Sequence, residues 1–549
     1  MIFNTALEEI KGNVKRMTGD LPNYNLNGEW KAFLSIDHQT KRATVINYSN
    51  ASLDYIFTQI KKVLEKNNTK TFKVDIAYDF KKIIFEEWNK KALHTRKNYC
   101  RSGISFDKGF QTALMEQEIN GNAMIQPGES GLALNLENLN RYLLQADKCR
   151  RKFEIEVDSE LILFETLGFY FDGEKIIKLY SEGLNNGRRI LDSMDTPEVE
   201  RVIHQSGSYL ANQVATSGEF VYGYFACFDK KIKHYNSLRH ASSTYSMVEA
   251  FEVSRDATII TAAKRALQFL AVDLIRETED RAYVVERDSN EIKLGANAAA
   301  ILAFTKYMKV TETNDYTALC TKLARTICDL QQENGQFVHV LSYPSLEVKD
   351  PFRIIYYDGE AVFALLRLYE IDANQDWLDA AVQAFNHFIA KKYWKNHDHW
   401  LSYCTNEITK YLPEDRYFKF GLKNGFGRLE FMYERETAFP TFLELTVATH
   451  DMCNRMDELG KSALLEGYDR EQLERTIDKR ADHQLNSFFY PELAMYFKNP
   501  ARIENSFFIR HHSFRVRIDD VEHNISGYCR YLNRITSSLP EKNKEKMQL

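Results

Sequence analysis

The feature that most constrains this chain is an alternation of two kinds of helix. In "YYDGEAVFALLRLYEI" (356–371), only Arg367 interrupts the apolar run from Ala361 to Tyr369. Its successor, "QDWLDAAVQAFNHFIAKK", places Leu378, Ala381, Val382, Phe385, Phe388 and Ile389 on one face. A helix that is apolar all round is buried on every side, whereas a one-sided stripe marks a helix with a face in solvent. The pair therefore reads as an inner helix followed by an outer one.

The pair recurs. "SSTYSMVEAFEVSRD" precedes "ATIITAAKRALQFLAVDLI", "GANAAAILAFTKYMKV" precedes "YTALCTKLARTICDLQQ", and "TAFPTFLELTVATHDMCNRM" precedes "REQLERTIDKRADHQL". A last inner helix is "DDVEHNISGYCRYLNRI", and "PEVERVIHQSGSYLANQV" supplies a further outer one. Five to six hairpins are countable, with aligned inner helices roughly 55–80 residues apart, a spacing that fits two helices and a long loop. Between repeats run polar turns and aromatic extended segments, "KNHDHWLSY" among them. The expected fold is mainly α, an (α/α)6 toroid of helical hairpins over 197–540. An open α-solenoid is the alternative.

The first 150 residues have another character. "EWKAFLSID" and "RATVINYS" flank the polar turn "HQTK" as a hairpin would. "SLDYIFTQIKKVLEKN" has helical spacing, and "KTFKVDIAYDF" returns to alternation. A smaller N-terminal α/β domain is expected over 1–150, then a β-rich border segment over 151–196, with 541–549 as a solvated tail.

Composition excludes several classes. A formal net charge of −5 gives no polyanion-binding surface, so nucleic acid is not an expected partner. The eight cysteines are scattered without a CxxC pair, which argues against a disulfide framework or a zinc knuckle. No stretch of about 18 apolar residues occurs, so no membrane span is expected, and no apolar signal region opens the chain. The expected location is the cytoplasm.

The phrases "YYDGEAVFALLRLYEIDANQDWLDAA", "YNSLRHASSTYSMVEAFEVSRDATIITAA" and "VRIDDVEHNISGYCRYL" resemble the helical-hairpin repeats of the six-hairpin (α/α)6 glycosidase-like superfamily. That group includes unsaturated glucuronyl hydrolases, N-acylglucosamine 2-epimerases and the C-terminal part of glucuronyl C5-epimerases. The resemblance covers about 197–537 and implies a carbohydrate-handling cavity at one mouth of the ring, built from inner-helix starts. Lanthionine cyclases share the toroid but need a cysteine–histidine zinc set that has no equivalent in this sequence.

In a toroid, the segments entering the inner helices converge on one mouth. They are "YNSLRH" (Tyr235, Asn236, Arg239, His240), "KLGAN" (Lys293, Asn297), "YYDGE" (Tyr357, Asp358, Glu360), "YERET" (Arg435, Glu436) and "FRVRIDDVEH" (Arg517, Asp519, Asp520, His523). Helix N-termini and arginines together favour an anionic or hydroxylated ligand. Glycoside chemistry needs two carboxyl groups in different environments, for which Asp358, Glu360, Glu436, Asp519 and Asp520 are candidates. Epimerisation needs a proton acceptor and donor flanking a carbon, for which His240 or His523 would serve. Substrate contacts are expected from Tyr235, Asn236, Arg239, Asn297, Tyr357, Arg435 and Arg517.

Each position also has a plain structural reading. Asp358 and Asp519 could cap helices, Arg239 with His240 could be a satisfied core pair, and Arg435 with Glu436 a surface pair. "HDH" (397–399) carries metal-capable side chains but reads as a polar loop without a third ligand. "GLKNGFGRLE" lacks a P-loop lysine arrangement. The expected function is hydrolysis or epimerisation of a sugar, an acidic one or a unit of an envelope or capsular polysaccharide, by carboxylate and histidine acid–base catalysis without cofactor or metal. The alternative is a non-catalytic glycan- or protein-binding scaffold in envelope biosynthesis.

Overall fold

A computed structural model describes residues 2–17, 19 and 22–537. The expected tail at 541–549 lies outside the described residues. The chain divides into two compact units. One comprises residues 1–192, 223–232 and 485–516; the other comprises 193–222, 233–484 and 517–549. Unit one thus extends past the boundary expected near 150 and takes two later segments. The reason lies in the long strand Glu160–Phe171, placed from sequence in a border segment. It pairs with Phe72–Ile84 on one side and Gly103–Ser105 on the other, so it sits inside the sheet of unit one.

That sheet has seven strands: β1 (Trp30–Ile36), β2 (Thr44–Asn50), β3 (Phe72–Ile84), β4 (Gly103–Ser105), β5 (Ala113–Leu114), β6 (Glu160–Phe171) and β7 (Ile176–Lys178). Their order is β2-β1-β3-β6-β4-β5, with β7 on β6, and every pairing is antiparallel. The helices Ile2–Met17 and Leu53–Asn67 share one core with this sheet. Ile10, Val14, Ile56 and Ile60 from the helices pack with Leu34, Val74, Ile76 and Phe169 from the strands. Ser52 caps the second helix by accepting from the Tyr55 N–H.

Unit two is helical, and its helices are numbered here in chain order. They are α1 (Thr196–Gln213), α2 (Ser237–Ser254), α3 (Ala257–Phe269), α4 (Leu294–Thr311), α5 (Thr317–Asp329) and α6 (Tyr356–Asp372). Then follow α7 (Gln375–Ala390), α8 (His399–Tyr411), α9 (Asp415–Phe426), α10 (Thr441–Glu458), α11 (Arg470–Gln484) and α12 (Ile518–Ser537). The even-numbered helices pack in the order α2-α4-α6-α8-α10-α12 and back to α2, which closes a ring. Each odd-numbered helix from α3 to α11 packs on the even one before it, and α1 packs on both α12 and α2. This is a mainly α, six-hairpin (α/α)6 toroid and excludes the open solenoid. Among the described residues, no helix is long and apolar enough to cross a membrane.

The local reasons match the sequence pattern. Helix α4 is buried from Leu294 through Met308 and α6 from Tyr357 through Leu366, each large apolar side chain contributing about 1.5–3 kcal/mol. Inner helices α2, α4 and α6 all stop on a left-handed residue: Arg255, Glu312 and Ala373. In each case its N–H returns to the carbonyl four residues back, reversing the chain toward the outer helix. Asp256 and Asn374 then cap α3 and α7.

One hairpin is absent from the pattern read off the sequence. The segment expected to be extended, "HDHWLSY", opens the fourth inner helix, α8, and "GLKNGF" belongs to its outer partner α9. Conversely, "YERET" does not begin an inner helix, because α10 starts at Thr441.

Candidate active site

Five side chains from the first or second turns of five different inner helices meet at one end of the ring: Arg239 of α2, Glu360 of α6, His399 of α8, Glu444 of α10 and His523 of α12. The rings of His399 and His523 lie 5.3 Å apart, edge to face. Helices α8 and α12 are not ring neighbours, so this contact spans the intervening α10, whose Glu444 joins the cluster. His523 Nδ1 lies 3.0 Å from Glu444 Oε2, and the Tyr403 hydroxyl donates to Glu444 Oε1 at 2.9 Å. Glu522 approaches the other ring nitrogen of His523 at 3.5 Å.

His399 is positioned from behind. Asp398 caps α8, accepting from the N–H groups of Trp400 and Leu401, and its Oδ1 lies 3.0 Å from His399 Nδ1. Asn424 of α9 holds the Asp398 backbone at both ends, accepting from its N–H at 3.1 Å and donating to its carbonyl at 2.8 Å. A carboxylate beside Nδ1 favours the proton there and leaves Nε2 as the basic nitrogen. His399 is 3% exposed, and its Nε2 has no hydrogen-bond partner among the described residues.

The electrostatics separate the groups into acids and bases. Burial opposes a charge on His523, but Glu522 and Glu444 outweigh it and raise its pKa to about 10. Burial would raise Glu444, but His523 and His399 hold it below the usual carboxylate range. Glu360 is raised to about 8 by burial, with Asp398 and Glu522 adding to the effect. Glu522 is likewise raised to about 8, mainly by burial. At neutral pH the cluster therefore holds an imidazolium–carboxylate pair flanked by two protonated carboxylic acids.

Glu360 needs space on its ring neighbour. A Cβ on Gly295 of α4 would run into Glu360 Oε2 and the Tyr357 ring, so glycine is required there. Deeper in the ring, side chains from α6, α8 and α12 meet inside it. Arg530 of α12 lies over the Tyr403 ring of α8 at 4.0 Å, and Phe363 of α6 stacks on Tyr403 at 5.6 Å. Tyr356, partly exposed, places its ring 5.5 Å from that of His399.

The remaining expected residues divide into two groups. Asp519 belongs to the mouth, where it takes Arg239 Nε at 2.6 Å and Arg517 Nη2 at 2.6 Å, and Arg239 also donates to the Tyr222 hydroxyl at 3.1 Å. Both arginines are thus engaged by one carboxylate, which they hold below its ordinary pKa against the effect of burial. The others are structural in this arrangement. Asn236 caps α2. Tyr235 accepts from the Phe220 N–H and pairs with His240 Nδ1 at 2.7 Å, while His240 Nε2 donates to the Ala266 carbonyl at 2.9 Å. Asn297 bridges the Val284 N–H and the Lys293 carbonyl. Asp358 turns away to accept from His339 Nε2 at 2.9 Å. Tyr357 is buried beside Gly295. Glu436 is exposed and its carbonyl accepts from His483, while Arg435 lies over Phe431 and Phe439.

Sequence reading missed His399, Asp398, Glu444 and Glu522. A usable signal existed for Glu444, a lone acid in the apolar run "FPTFLELTV". His399, Glu444 and His523 each offer one ligand atom within 4.8 Å of the others, a donor set that suits a divalent cation.

No family model matches the chain, and no curated protein matches it. Solved structures similar to it include cellobiose 2-epimerase from Bacillus thermoamylovorans, at 11% identity and TM-score 0.48, covering 62% of this chain and 100% of that one. D-mannose isomerase matches at 11% identity and TM-score 0.48, covering 63% and 98%. The GH76A α-1,6-mannanase of Salegentibacter sp. matches at 12% and 0.43, covering 61% and 98%. The closed ring is read from this chain's own helix packing and does not depend on these similarities.

Proposed function

We propose that the mouth of the ring is the active site of a carbohydrate-active enzyme that moves a proton at a carbon beside a sugar carbonyl, as an epimerase or isomerase does. The observation that carries this reading is the pairing of an unpartnered, buried His399 Nε2 with a neighbouring, protonated His523. A carbon about 3–3.5 Å from each of two nitrogens fits between them only if those nitrogens lie within about 7 Å of each other. The ligand atoms of these two histidines are within 4.8 Å.

In this scheme His399 Nε2 removes the proton from the carbon, and the C–H electron pair forms the enediol double bond. The carbonyl oxygen takes a hydrogen bond or proton from Glu360 or Glu522, the acids that stay neutral near pH 7. His523 returns a proton to the adjacent carbon while the hydroxyl beside the first carbon gives up its own proton and becomes the new carbonyl, which isomerises the sugar; inversion at one carbon would need the two nitrogens about 6–7 Å apart on opposite faces. Aromatic rings of Tyr356 and Trp400 beside this polar floor suit a hydroxylated ring with apolar C–H faces.

The test is incubation with neutral aldoses, reducing disaccharides and uronates in D2O, followed by NMR and product analysis. Deuterium beside the carbonyl together with a new epimer or ketose is the expected outcome. Release of reducing ends without exchange would replace this reading by glycoside hydrolysis, and no turnover with saturable sugar binding would replace it by a glycan-binding role. The donor set of His399, Glu444 and His523 favours a second reading, in which a divalent cation polarises the carbonyl. Turnover abolished by a chelator and restored by one metal would establish that reading; turnover unchanged by chelation supports the proton-transfer one.

A further inference from the structure

Unit one contains a cavity lined largely by polar side chains. It measures about 100 Å³ and is formed by the loop after β1, the helix Leu136–Gln145 and the segment around Lys498. Asn138, Arg141 and Gln145 line it from that helix at the i, i+3, i+7 spacing of one face, with Tyr142 beside them. Arg42 lies against the Tyr142 ring, its guanidinium carbon 5.5 Å from the centroid.

The charge in this cavity is one-sided. Arg42, Arg141 and Lys498 line it, and no carboxylate does. The nearest acids are already engaged: Glu137 pairs with Arg141, and Glu118 accepts from Lys148 at 2.8 Å and from the Tyr142 hydroxyl at 2.7 Å. Arg42 Nε is buried without a hydrogen-bond partner among the described residues. An unpaired, desolvated donor on a permanent cation is costly unless something accepts from it. Burial also holds the Arg42 pKa below its ordinary value, the mark of a cation lacking a counter-charge.

We propose that this cavity binds a single tetrahedral oxyanion, a phosphate or sulfate group, with the Arg42 guanidinium as the inner donor and Lys498 and Arg141 at the rim. Size supports this class. The cavity admits several waters, which is room enough for one such group. The planar guanidinium, anchored on an aromatic face, presents fixed donors to an oxyanion.

Titration of the full chain with inorganic phosphate, inorganic sulfate, a hexose phosphate and, as control, acetate tests the assignment by calorimetry and thermal melting. Saturable one-to-one phosphate binding with a rise in Tm is expected, weakened at least tenfold in Arg42→Gln and several-fold in Lys498→Gln. Tighter binding of the ester than of free phosphate would name a phosphorylated metabolite as the source; equal binding would name the free ion. Absence of saturable binding to phosphate and sulfate overturns the proposal, as does equal affinity in a folded Arg42→Gln. If Arg42→Gln does not fold, unchanged affinity in both Lys498→Gln and Arg141→Gln, exposed positions that do not bear on the core, overturns it equally.

Discussion

His240 and His399 occupy comparable places and have opposite properties. Both sit in the first turns of inner helices, α2 and α8, and both are buried. His240 has a partner on each nitrogen, the Tyr235 hydroxyl and the Ala266 carbonyl, and is packed among Phe220 and Phe269. Burial depresses its pKa to about 4, so it stays a neutral strut joining α2 to the end of α3. His399 has its Nδ1 beside Asp398 and its Nε2 unused. The same residue type at the same depth is therefore a fully bonded strut in one helix and, in the function proposed above, the reactive group in another. What distinguishes them is hydrogen-bonding capacity left open, because a buried imidazole nitrogen without a partner is costly and persists only where something else keeps it.

The sharpest test of that contrast replaces each histidine in turn. His399→Ala should lower turnover by about 10²–10⁴-fold, the usual contribution of a general base, while leaving the melting profile close to wild type. His240→Phe should do the reverse. It keeps the aromatic packing but strands the Tyr235 hydroxyl and the Ala266 carbonyl, costing about 1–3 kcal/mol, with turnover per folded molecule unchanged. Steady-state kinetics beside chemical denaturation separates the two. Equal loss of turnover in both variants would break the comparison.

A smaller effect is expected in stability against pH. His523 rises from an ordinary 6.5 to about 10, so the folded state holds its proton more tightly than the unfolded chain. Its contribution is fully present below pH 6.5 and is lost as pH climbs through about 10. His523→Ala should cost about 3–5 kcal/mol near neutrality, since it leaves Glu444 buried without its cation, and should reduce the further loss of stability between pH 8 and 10. Urea midpoints across that range report it. A variant whose alkaline slope matches wild type would mean that His523 is not the group holding the proton.

Much of the ring was legible because α4 and α6 bury apolar residues nearly all round, and burial on every side leaves no polar stripe to confuse the period. Helix α8 escaped for the opposite reason. It buries Ser402, Thr405, Asn406, Glu407 and Thr409 among its apolar residues, and polar residues in an inner helix read as a loop. Their burial is tolerable because local acceptors exist: the Thr405 and Thr409 hydroxyls donate to the carbonyls of Leu401 and Asn406 within the helix. The missed helix is also the one that carries His399, so the gap in the repeat coincided with the site. Among the expected site residues, position at a helix start did not decide which side chains reach the mouth; the face did. Arg239, Glu360, Asp519 and His523 point into the mouth, whereas His240, Asn297 and Asp358 point between helices, and one-dimensional spacing does not reveal how each helix is rotated about its own axis.

Asp358 and Glu360 show that rotation at its smallest scale. Residues two apart on a helix do not share a face, so the two acids that open α6 look in different directions. Glu360 faces the cluster, where burial and neighbouring acids keep it protonated. Asp358 faces His339, whose Nδ1 accepts from the N–H groups of Arg353 and Ile354 and so secures the loop leading into α6. Asp358→Asn should then be the mildest substitution. The amide oxygen still accepts from His339 Nε2, so stability should fall by about 1 kcal/mol and turnover should stay within about twofold. Turnover reduced as far as in His399→Ala would place Asp358 in the chemistry after all, and would mean that the outward face of α6 reaches the substrate.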